Sequence, residues 1–214
     1  TCVYDAKTRT LHLRGAVNYD EVNSYRDGHI EVRSIVADEG TVLPADCSFL
    51  FNRFDKVFDI DLSNADASKV KNMQNMFCDA YSLGSVTFGS KFNTKNVTSM
   101  KDMFYACYEL QSLDLSKFNT AKVTDMNGMF ADCIKLQNLD LSKFNTSKVT
   151  DMNSMFKNCW HLRSITLGSN FKTGNVTDMN GMFLYCSDLK DLDLSGFNTS
   201  KVTDMGYMFK YTQS

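Results

Sequence analysis

One proline (Pro44) and eleven glycines in 214 residues exclude a linker or a disordered chain. An excess of one charge is missing as well. Lys and Arg number 23 and Asp and Glu 25, a net charge of −2, so no basic field exists to hold nucleic acid or an anionic membrane. No apolar run reaches the ~18 residues that a spanning helix needs. Only three histidines occur, His12, His29 and His161, and none stands in a nucleophile or metal motif. C-x-x-C pairs, the close ligand grouping that suits zinc, are absent. Carboxylates abound but recur in equivalent positions, whereas a paired-acid hydrolase needs two in unlike environments. The expectation is a protein with no catalytic residues, no cofactor and no metal.

What is present is repetition. "KVTDMNGMF" at 122–130 returns as "NVTSMKDMF" at 96–104, "KVTDMNSMF" at 148–156, "NVTDMNGMF" at 175–183 and "KVTDMGYMF" at 201–209. Phenylalanines close each phrase at Phe77, Phe104, Phe130, Phe156, Phe183 and Phe209, at intervals of 27, 26, 26, 27 and 26. The longer intervals belong to "TFGSKF" and "TLGSNF", which carry one more residue than "DLSKF" and a glycine in the turn. A period of this size is the mark of a solenoid. Phe51 extends the phase back by 26, with Cys47 in the first methionine slot, so 47–63 reads as a worn first coil. All twelve methionines fall in two slots of the repeat. A flexible, polarizable side chain confined to two slots and interleaved with Phe and Leu reads as core filler rather than as a sulfur metal site.

Within a coil, V-x-x-M-x-x-M-F-x-x-C-x-x-L spaces apolar residues by three and four and predicts a short helix, capped by Thr124 or Asp125 and their equivalents. L-x-x-L-D-L-S then alternates and predicts a short strand with Leu113 in, Asp114 out and Leu115 in. The prediction is an α/β right-handed leucine-rich-repeat-type solenoid of parallel strands. About seven coils at ~4.8 Å each give a stack of roughly 30–35 Å. Residues 1–40 fall outside the repeat; "TRTLHLRGAV" and "GHIEVRSIV" read as strands of an N-terminal β cap, with the solenoid over 41–214. "MFKYTQS" stops mid-coil, which predicts an uncapped end available for self-association.

L-x-x-L-x-L at 110–115, 136–141 and 189–194 matches the leucine-rich-repeat strand signature. The fuller phrase "FNTSKVTDMNSMFKNCWHLRSI" resembles the BspA-like leucine-rich-repeat surface proteins of bacteria, whose repeat is also found in mycoplasma-type lipoproteins. That resemblance covers about residues 60–211 and implies a secreted or surface-anchored protein, its anchor outside this chain. It further implies adhesion to a protein ligand on a host or neighbouring cell. A structural spacer within a larger surface protein and a carbohydrate-active enzyme are the alternative functions.

Cys107, Cys133, Cys159 and Cys186 share one slot, and Ala80 fills it in another coil, so packing rather than bridging is expected. Cys78 lies off that ladder and reads as exposed; Cys2 reads as free or paired. Two candidate partner faces remain. One is the outward acids of the strands, Asp114, Asp140 and Asp193, suited to a basic partner. The other is aromatic: Tyr81, Tyr108 and Trp160 occupy the fourth position after the marker phenylalanine, with Tyr105 and Tyr185 nearby. That slot varies from coil to coil, so the core does not dictate it.

Overall fold

Every buried backbone N–H and C=O must find a partner, and in this chain most partners lie one coil away. The computed structural model describes residues 1–28 and 30–212, so His29 and the last two residues of "MFKYTQS" lie outside the described residues. Among the described residues seven strands are formed: β1 Cys2–Asp5, β2 Thr10–Leu13, β3 Ser34–Ala37, β4 Asp59–Leu62, β5 Ser85–Phe88, β6 Asn138–Leu141 and β7 Ser164–Leu167. One sheet runs β1-β2-β3-β4-β5 and a second pairs β6 with β7. Only β1 is antiparallel to its neighbour. Ile35, Ile60 and Val86 stand in register, as do Leu139 and Ile165, and all five point into the core. The molecule is a parallel β-solenoid.

The N-terminal segment contributes more than strands. β2 and β3 are already members of the parallel sheet, joined by helix α1, Tyr19–Asp27. Asn18 caps α1 by accepting from the Glu21 N–H, Asp20 and Glu21 sit in the first turn, Arg26 in the last, and Gly28 closes it by donating to Ser24. The sequence reading placed no helix there.

It placed helices in the M-x-x-M-F phrases instead, and these are not helical. In residues 126–133 the backbone N–H groups of Met126, Gly128, Phe130 and Asp132 donate to Asp151, Asn153, Met155 and Lys157 of the next coil at 2.7–3.0 Å. Those of Met129, Ala131 and Cys133 close turns onto the residue three before. The segment is a staircase of overlapping turns whose alternate donors bind the neighbouring coil. Two residues per coil take positive φ, the third of the turn and the second after the phenylalanine: Asn75 and Asp79, Asp102 and Ala106, Gly128 and Asp132, Ser154 and Asn158. A positive φ at the third turn position breaks a helix and suits Gly and Asn. Met126, Met129, Phe130 and Cys133 are nonetheless all buried. A turn staircase and a helix thus produce the same apolar spacing. Asp125, read as a helix cap, accepts from the Asn127 N–H at 2.9 Å in an Asx turn, and Asp151 and Asp178 do likewise.

The same slot carries a second parallel ladder one residue wide, through Asp46, Asn72, Ser99, Asp125, Asp151, Asp178 and Asp204. The core between ladders is layered. Phe51, Phe77, Phe104, Phe130, Phe156, Phe183 and Phe209 stack in one column, with ring centroids 5.2–5.8 Å apart. The expected strand at 110–115 keeps its alternation, Leu113 and Leu115 buried and Asp114 exposed, but joins neither sheet. The break adjoins β5, where Phe88 replaces the leucine of other coils and presses on Phe92 and Phe118 at 4.5 and 4.9 Å. The strand expected at 189–194 reduces to one bridge, Ser164 to Asp191.

The buried threonine of K-F-N-T replaces a missing ladder bond. Thr120 Oγ1 donates to the Asn145 carbonyl at 2.9 Å and accepts from the Asn145 N–H at 2.8 Å. Thr94 does the same with Asn119 and Thr173 with Asn198. Thr120→Val keeps the shape and orphans both backbone groups, so it should cost about 2 kcal/mol. Thr120→Ser should keep most of the stability. Urea midpoints of the two variants check this; equal midpoints would show that water replaces the hydroxyl.

Candidate aromatic ridge and strand-face groove

After the staircase each of these coils turns a cysteine, or Ala80, inward, and two exposed or half-buried residues precede the next inward leucine. The first of these builds a ridge. Tyr81 and Tyr108 are 43% and 38% exposed and their rings stack at 5.1 Å and 15°. Ile134 follows half-buried, then Trp160 at 47% exposure, and Ser187 ends the series. At ~4.8 Å per coil, Tyr81 to Trp160 spans roughly 15 Å. Beside the ridge the next slot carries paired polar side chains: Lys135 donates to Glu109 at 2.6 Å, and His161 Nδ1 lies 3.0 Å from Asp188.

Tyr105, three residues before Tyr108, is also exposed. Burial, then the charge and hydrogen bond of Asp132, then the charge of Asp79, push its hydroxyl up to about 12. The Tyr108 hydroxyl is raised by burial, Asp132 and Asp79. Asp79 comes first among the causes raising Tyr81. These two aspartates were not singled out in the sequence; their signal is a shared slot, the second after Phe77 and Phe130. Tyr185 stands apart from the ridge, stacked on Tyr211 at 4.5 Å in a separate column.

The strand acids are tied into local turns. Asp114, Asp140 and Asp193 are exposed, and their carboxylates accept from the Ser116, Ser142 and Ser195 N–H groups at 2.8–2.9 Å. Hydrogen bonds from the serine hydroxyls, then these N–H groups, hold all three carboxyls below the usual carboxylate range. Asp114 and Asp140 line a shallow groove of about 320 Å³ with Ser112, Asn138, Ser164 and Thr166. Asp193 is not part of it.

All seven cysteines are unbridged. Cys107, Cys133, Cys159 and Cys186 each donate their thiol to a phenylalanine carbonyl in the coil before, at 3.0–3.2 Å. Burial pushes these thiols up, Cys186 to about 12. Cys78, read as exposed, is buried. Among the described residues no group of three His, Cys, Asp or Glu side chains is placed to hold a metal ion. None of the described helices is long and apolar enough to cross a membrane.

A protein-family model described as Mycoplasma protein of unknown function, DUF285, matches residues 45–166 and 135–214. No curated protein matches the sequence. Among solved structures, the leucine-rich repeat protein of T. pallidum is 12% identical with a TM-score of 0.45, over 89% of this chain and 88% of that one. A leucine-rich repeat protein of Bacteroides ovatus is 14% identical with a TM-score of 0.43, over 83% of this chain and 52% of its own. A leucine-rich cell surface protein of Faecalibacterium prausnitzii is 16% identical with a TM-score of 0.40, over 94% and 53%. The chain spans about half the length of these last two.

Proposed function

This chain belongs to the family described as Mycoplasma protein of unknown function, DUF285, and from that premise we propose that it is a rigid protein-binding module that works in adhesion outside the cell. The observation that carries the reading is the ridge of exposed Tyr81, Tyr108 and Trp160, with half-buried Ile134 between them. Its slot varies while the inward slots on either side stay apolar. Exposed Tyr and Trp on a rigid backbone lose little side-chain entropy on contact and dominate interface energetics. Each coil is bound to the next by ladder and staircase hydrogen bonds, so the ridge is held in register before a partner arrives. The extracellular setting rests on the likeness of the F-N-T-S-x-V-T-D-M phrase to bacterial surface repeats. In this reading the chain binds and performs no chemistry.

The strand-face groove is the competing surface, and one experiment separates the two. Immobilised chain is exposed to surface-protein extracts, and captured protein is compared across variants. Tyr108→Ala/Trp160→Ala should cut retention by thirtyfold or more, since a hot-spot aromatic is worth about 2 kcal/mol or above. Asp114→Lys/Asp140→Lys should leave retention within about twofold, which retires the strand face. Loss confined to the lysine variant would move the site there. A chain that retains nothing is a spacer, and the reading fails.

A further inference from the structure

We propose that the tyrosine–aspartate end of the ridge, Tyr81, Tyr105 and Tyr108 with Asp79 and Asp132, is a pocket for an arginine side chain of the partner protein. The inference rests on the protein-binding reading and names the chemistry of what binds. Asp79, Ala106 and Asp132 occupy one slot in three successive coils, so the two carboxylates are two coils, roughly 10 Å, apart. Ala106, the residue between them, is small and buried. Tyr105 and Tyr108 belong to this middle coil and are exposed, and Tyr81 stacks on Tyr108 from the coil before.

Charge fixes the sign of the occupant. Among the described residues neither Asp79 nor Asp132 has a salt-bridge partner, although both are only half-buried. Asp132 accepts a hydrogen bond from Asn158 Nδ2 at 2.6 Å, which orients one carboxylate oxygen. The charged neighbours that shift the three tyrosine hydroxyls are acids, with no base among them. The patch is therefore negative and aromatic at once. A guanidinium matches both properties, since it forks onto carboxylates, stacks on aromatic faces and sheds water more readily than an ammonium. The strand-face acids lack this pairing, because their carboxylates already serve their own turns and no aromatic flanks them.

A fluorescent peptide of alternating Arg and Gly is titrated by polarisation, beside the same peptide with citrulline, the neutral isostere, and with lysine. Asp79→Asn/Asp132→Asn keeps the positive φ that both sites require, because Asn tolerates it. Asp114→Asn/Asp140→Asn removes the same charge elsewhere. The arginine peptide should bind wild type at least tenfold more tightly than the citrulline and lysine peptides. Affinity should fall at least tenfold in Asp79→Asn/Asp132→Asn and in Tyr108→Ala, and hold within twofold in Asp114→Asn/Asp140→Asn. Equal loss in both Asn pairs, or equal binding of arginine and citrulline peptides, overturns the proposal. So does a captured protein partner that Tyr108→Ala/Trp160→Ala loses while Asp79→Asn/Asp132→Asn retains it; that result leaves the protein-binding reading standing. Failure of the wild-type chain to retain any protein ends that reading, while the peptide titration still reads the pocket.

Discussion

Phe130→Ala should lower the stability of the chain by about 3–5 kcal/mol, the range for deleting a buried phenyl ring that neighbours cannot refill. Phe130 is fully buried, with Phe104 at 5.8 Å and 2° on one side and Phe156 at 5.7 Å and 7° on the other. The backbones that carry these rings are bound to each other along the staircase, so collapse into the void would break inter-coil hydrogen bonds. Solenoid stability is a sum of coil terms and nearest-neighbour interfaces, and Phe130 serves two interfaces. Phe209 serves one, to Phe183 at 5.5 Å, and is 47% exposed. Phe209→Ala should therefore cost about 1 kcal/mol, roughly half of a full burial. Urea unfolding followed by circular dichroism and by the fluorescence of Trp160, the single tryptophan, measures both. The central variant should also uncouple the two probes, because the two halves then share one weakened interface. Equal losses at 130 and 209 would mean that the column is not the cooperative element.

Much of this architecture was legible because the sequence repeats its constraints. The phenylalanine column, the buried methionines and the inward cysteines follow from slots that hold one residue type coil after coil. The staircase was not legible as such. Apolar residues at Met126, Met129, Phe130 and Cys133 satisfy a helix and a run of turns equally, and the period alone cannot choose. The choosing signal was the residue between the methionines: Asn75, Asp102, Gly128, Ser154 and Gly181 are small or polar, types found where φ is positive, and poor helix formers. Helix α1 was missed for the opposite reason. Its apolar stripe is weak, with only Val22 and Asn23 buried, and its caps at Asn18 and Gly28 were the readable part. At the ridge, exposure of Tyr81, Tyr108 and Trp160 could be read from a slot that varies while its neighbours do not. Asp79 and Asp132 share a slot that the repeat also displays, but their bearing on the Tyr81, Tyr105 and Tyr108 hydroxyls could not be read from it, since that depends on side-chain directions.

Gly168→Ala should cost about 3 kcal/mol or more, at or beyond the top of the usual range for an added methyl group in a packed site. The glycines of "TFGSKF" and "TLGSNF" look in sequence like turn residues chosen for backbone freedom, but neither has a positive φ. Their reason is proximity. A Cβ on Gly168 would lie 2.1 Å from the Ser142 carbonyl oxygen, and one on Gly89 would lie 1.9 Å from that of Ser63. Both obstacles are backbone, so no rotamer change relieves them. Gly168 directly follows β7 and Ser142 directly follows β6. The clash therefore levers against the Leu141–Leu167 end of the ladder. The extra residue in these two coils lengthens the turn, and glycine lets the longer turn pass beneath the coil before it. Gly196 occupies the same turn in a coil without the insertion, and nothing lies within 4 Å of a Cβ built there. Gly196→Ala should be neutral or stabilise by up to about 1 kcal/mol through the unfolded state. Urea midpoints of the two variants, with amide exchange across 138–141 and 164–167, read the contrast. A Gly168→Ala protein within about 1 kcal/mol of wild type, with protected β6 and β7 amides, would show that adjacent coils can slide apart at that corner without loss.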